Sequence, residues 1–148
     1  MTAIAALALA GVGVSSVSLE HHFAKSKTEY CDIGESFNCD IVNRSAYSSL
    51  GPIPVALIGI LGYLALAGLA TIGRRRQDAP GLLLGGALGG LAFALYLTYV
   101  EAHILGVWCI LCLSSLALIA GIALLSGINW MRSQKKGAAS DTQQVRPE

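Results

Sequence analysis

Charged residues cut the chain into four apolar runs, Met1 to Leu19, Gly51 to Gly73, Gly81 to Val100 and Ile104 to Met131, with no Asp, Glu, Lys or Arg inside any of them. A helix needs roughly 20 apolar residues to cross a hydrocarbon core of about 30 Å. Each run reaches that length, so the pattern predicts four membrane-spanning helices. The polar segments between them are unequal. A long stretch, Glu20 to Leu50, separates the first two runs, whereas only "EAH" at 101 to 103 joins the last two.

Composition points the same way, since 54% of the residues are hydrophobic and 13% charged, outside the balance of a soluble domain. Much of the glycine lies inside the runs, as in "GLLLGGALGG" at 81 to 90. In water such residues weaken a helix, but between membrane helices they let backbones approach closely. The expected fold is an all-α membrane protein, a compact four-transmembrane-helix bundle over residues 1–131. A polar tail, 132–148, is expected to be disordered. The first run lacks the basic residues that open a signal peptide, and reads as a retained span.

Charge sets the expected orientation. Arg74, Arg75 and Arg76 follow the second run and Arg132, Lys135 and Lys136 follow the fourth, so the positive-inside rule places both segments in the cytoplasm, with both termini. Residues 20–50 then face outward, and there the acidic residues outnumber the basic ones. The chain reads as a multi-pass plasma (inner) membrane protein.

All four cysteines fall on the outer side in that orientation. Cys31 and Cys39 lie in "CDIGESFNC", and Cys109 and Cys112 in "VWCILCLSS" at the start of the fourth run. Outer compartments permit disulfides, so two bridges are expected, or one exchanging with the other. At i and i+3 on a helix, Cys109 and Cys112 share a face. A first-turn position predicts a reactive, dipole-stabilised thiolate at Cys109. The alternatives are two buried apolar cysteines, or a zinc half-site completed by His21 and His22. Glu101 and His103 end the third run, where side chains are ordinarily solvated; a proton relay is the functional alternative. Tyr99 and Trp108 read as interfacial anchors. Basic residues at membrane edges give no support for nucleic-acid binding.

The loop pair Cys31 and Cys39, Ser45 six residues later, "LGPIP" leading into the second run, and Cys109 with Cys112 opening the fourth together resemble the vitamin K epoxide reductase family in its small bacterial form. The resemblance covers roughly residues 5 to 125. It implies a bundle around a quinone of the ubiquinone, menaquinone or vitamin K type, capped by the outer loop, with Cys112 and Ser45 at the quinone. It also implies electron transfer from a separate extracytoplasmic thioredoxin-like (DsbA-type) protein through Cys31/Cys39 to Cys109/Cys112. Two positions depart from the vertebrate enzymes: Leu116 stands where they have a tyrosine, and an alignment through Gly59 and Tyr63 puts Val55 where they have an asparagine. These departures favour a quinone as electron acceptor over vitamin K epoxide as substrate. The other bacterial four-helix disulfide generator carries its cysteine pairs in the reverse order. A non-enzymatic four-span subunit with static disulfides is the reading from a different class.

Overall fold

The computed structural model describes residues 1–23, 37–73 and 78–144. Its helices are α1 (Thr2–Phe23), α2 (Cys39–Asn43), α3 (Val55–Ile72), α4 (Ala79–Val100) and α5 (Ile110–Gln144). All but the short α2 are long and apolar enough to cross a membrane. They close into a ring, α1 on α3, α3 on α4, α4 on α5 and α5 back on α1. This is the expected bundle. Cys31, and the triple arginine at 74–76, lie outside the described residues.

The faces that meet interleave small residues with a few large ones such as Leu83 and Ile122. Ile4, Ala8, Gly11 and Ser15 form one buried stripe on α1, and Ala67, Ala70, Ala87 and Ala123 answer it from the other spans. Large side chains such as Leu9, Leu61, Leu82 and Leu124 point outward. Lipid is as apolar as leucine, so packing at close range, not burial of oil from water, selects the inner face. Gly11 shows the closeness: a Cβ there would lie 2.4 Å from Cε1 of Tyr63. The Tyr63 hydroxyl crosses to α5, where it donates to the Ser115 carbonyl at 2.8 Å.

Over one end of the bundle sits a small cap. Asn38 caps α2, its side chain accepting from the Ile41 N–H at 3.0 Å. A 3-10 turn (Ala46–Ser48) and a two-residue hairpin, β1 (Ser49–Leu50) with β2 (Ile53–Pro54), follow. Gly51 takes a left-handed φ of 65° at the hairpin tip, and Pro54 leads into α3.

Two boundaries differ from the sequence pattern. The fourth apolar run begins at Ile104, yet α5 begins at Ile110, because residues 101–105 continue α4 as a π-helical turn. Gly106 then closes that turn with φ 65°. Beyond Met131, α5 continues to Gln144 through the tail expected to be irregular. Extending an existing helix needs no new nucleus, and Arg, Gln, Lys and Ala are all good helix formers.

Candidate active site

Two chain segments bring the cysteines together. Phe37 pairs with Trp108 in an isolated parallel bridge, and the Asn38 N–H donates to the Trp108 carbonyl at 3.1 Å. Cys39 therefore starts α2 directly beside Cys109, and the two thiols share a hydrogen bond. Both are buried, at 1% and 0% exposure, with Val42 in the same cluster and Cys112 packed against it. A second hydrogen bond links Cys109 to Cys112. Three of the four predicted cysteines thus form one contiguous chain of sulfurs.

The expected thiolate at Cys109 is not what this geometry supports. Cys109 precedes the first residue of α5 and is closed off from water. Its thiol is pushed well above the usual cysteine range, first by donating to the Cys112 sulfur and also by burial; the Cys39 hydrogen bond acts in the opposite sense. The hydrogen bond to Cys112 and burial together favour the neutral thiol over the charged form. Cys109 is the proton-holding partner, and Cys112, one turn into α5, is the acceptor.

Glu101, read from sequence as ordinarily solvated, is buried at 1% exposure. Its Oε2 accepts the Cys109 N–H at 3.1 Å, and its carboxyl also interacts with the Cys112 thiol. Its Oε1 has no hydrogen-bond partner among the described residues. The signal was hidden because the π-helical turn rotates this apparent helix-end residue inward. His103 is exposed and stacks on Tyr99, ring centroids 4.5 Å apart.

Below the cap opens a cavity of about 470 Å³. Every long helix contributes to its wall, for example Ser15, Tyr63, Gly90 and Ser115, and Cys112 and Glu101 line it too. Its size lies within the range of roughly 300–1,000 Å³ usual for small-molecule sites. Ser45 is among the lining residues, and its hydroxyl is engaged: Oγ donates to the Val42 carbonyl at 2.8 Å. The two neighbouring histidines diverge. His21 Nδ1 meets Asp40 Oδ1 at 3.5 Å, while His22 lines the cavity with its Nδ1 on the Asn43 carbonyl at 2.5 Å.

The model of the vitamin K epoxide reductase family matches residues 2–126, which takes in the first three spans, most of the fourth and every described element of this site. The chain belongs to the vitamin K epoxide reductase family. It is similar to vitamin K epoxide reductase complex subunit 1 of Rattus norvegicus, with 28% identity over 138 residues, covering 82% of this chain and 84% of the rat one. Membership makes it a multi-pass membrane oxidoreductase of the quinone-related reductases, whose members use a quinone or vitamin K as substrate. The largely apolar cavity, with a thiol and a few polar groups in its wall, suits such a ring and tail.

Proposed function

We propose that the chain oxidises an extracytoplasmic thioredoxin-like dithiol protein and delivers the electrons through Cys31/Cys39 and Cys109/Cys112 to a membrane quinone, so driving disulfide formation. The observation that carries this reading is the run of packed cysteines, Cys39 to Cys109 to Cys112, that begins in the cap and ends in the cavity wall. Static bridges need no such continuity.

In the starting state both pairs are disulfides. A thiolate of the partner attacks Cys31, and Cys39 leaves as a thiolate. Cys39 attacks Cys109, and Cys112 leaves toward the cavity. The second thiol of the partner displaces Cys31, which in turn attacks Cys39 and frees Cys109. The Cys109/Cys112 dithiol then returns to the disulfide, giving up two electrons and two protons. Glu101, beside both cysteines, receives a thiol proton and releases it at the cavity side. A bound quinone supplies the sink, taking up two electrons and two protons to become quinol. Cys112 and Ser45 stand at the wall where the ring would lie.

The basic residues after the second and fourth runs support an orientation with the cysteines outside and both termini in the cytoplasm. The name of the rat relative gives a second reading its place: vitamin K epoxide as the oxidant in the same cavity. One assay separates them. Purified protein is mixed with a reduced thioredoxin-like dithiol protein and offered either a ubiquinone or menaquinone analogue or vitamin K epoxide. Quinone loss matched to dithiol oxidation is the expected result. Consumption of the epoxide alone selects the second reading, and consumption of neither overturns both.

A further inference from the structure

Resting on the quinone reading above, we propose that the Asn43 side-chain amide is the donor that holds a quinone carbonyl at the polar edge of the cavity. Asn43 ends α2, is 6% exposed, and lines the cavity with Ser45, His22 and Cys112. It is fixed to α1 twice. Its backbone carbonyl accepts from His22 Nδ1, and its Oδ1 accepts from Ser18 Oγ at 2.7 Å. The amide oxygen is thereby used, and Nδ2 is left buried with no hydrogen-bond partner among the described residues.

An orphaned buried amide is costly to a fold, and an apolar side chain of similar size would avoid that cost. The neighbouring hydroxyls have already spent their protons: Ser45 on Val42, Ser48 on the Ser45 carbonyl at 2.7 Å, and Tyr63 on Ser115. A quinone carbonyl only accepts, so it needs a donor still available. Asn43 Nδ2 is such a group, and one that gains strength as negative charge develops on the oxygen during reduction.

Binding, not turnover, tests this. Equilibrium dialysis of the full chain in detergent would compare menadione with 2-methylnaphthalene, which has the same ring shape and no carbonyls. Asn43→Leu should weaken menadione on the order of 5- to 30-fold, the worth of one hydrogen bond, and leave 2-methylnaphthalene unchanged. Asn43→Asp keeps the acceptor for Ser18 but donates only when protonated, so its menadione affinity should rise as pH falls while that of the parent stays flat. Menadione binding within about twofold of the parent in both variants overturns the assignment, as does an equal loss for both ligands. If the parent itself binds no menadione, the quinone reading falls and this inference with it. A parent that binds menadione but fails to exchange disulfides leaves the Asn43 assignment standing and removes only the relay.

Discussion

The Cys109 thiol is protonated where a first-turn cysteine is ordinarily acidic, because it donates to Cys112 and lies out of reach of water. A raised pKa keeps the unreactive thiol form through and above the normal cysteine range. In the reduced protein, Cys112 lines the cavity whereas Cys109 is fully buried, so iodoacetamide at mildly alkaline pH should modify Cys112 well before Cys109, as read by peptide mass spectrometry. Modification of Cys109 first would reverse the assigned roles. Glu101 gives a second test. Glu101→Gln keeps an acceptor for the Cys109 N–H but exchanges no proton, so turnover should fall on the order of 10²- to 10⁴-fold, while exchange between Cys39 and Cys109 continues. Turnover at the parent rate would confine Glu101 to a structural role. The cysteine pairs were legible as residues; the direction of the proton between them was not, since it depends on burial that a spacing of three cannot report.

The four apolar runs correspond to the four long helices, so element number and order were legible. Which face of each helix turns inward was not. Inner and outer faces are both apolar, with leucine on each (Leu83 buried, Leu82 exposed), and the hydrophobic pattern has no contrast to offer. Glycine contacts carry that information instead. Gly11 faces the Tyr63 ring, whereas Gly13, two residues on, has nothing within 4 Å of its would-be Cβ. Gly11→Ala should lower stability by about 1–3 kcal/mol through overpacking, and Gly13→Ala should leave it unchanged or raise it slightly. Thermal unfolding in detergent reads both. Equal effects at the two positions would mean that α1 does not pack on α3 through Gly11. The start of α5 was misread for a related reason: Ile104 to Val107 are as apolar as a span but hold the end of a π-helical turn and a left-handed glycine, Gly106.

At the scale of the whole molecule, the cavity exists only because the ring of helices and the cap close around it. Its wall draws on Ser15, Asn43, Tyr63, Gly90 and Cys112, residues with no common motif, which is why sequence pattern gave its chemistry but not its shape. Ser45 was marked by the family resemblance; Asn43, two residues earlier, had nothing in that pattern to mark it. Orientation rests on the arginines and lysines at the two proposed cytoplasmic ends. A reporter fused after Glu148 should be active only in the cytoplasm, and an impermeant thiol reagent applied from outside should label the loop pair after reduction. Outward activity of the reporter would invert the proposed topology.

In the proposed relay, electrons pass from the loop pair to the C-x-x-C through contact of Cys39 with Cys109. Cys112→Ser isolates that step, because it removes the thiol that pairs with Cys109 and leaves Cys109 to be captured. Under mild oxidation, non-reducing peptide mass spectrometry of this variant should find a Cys39 to Cys109 disulfide accumulating. A variant holding only the Cys31 to Cys39 bridge, with Cys109 unpaired, would contradict the relay.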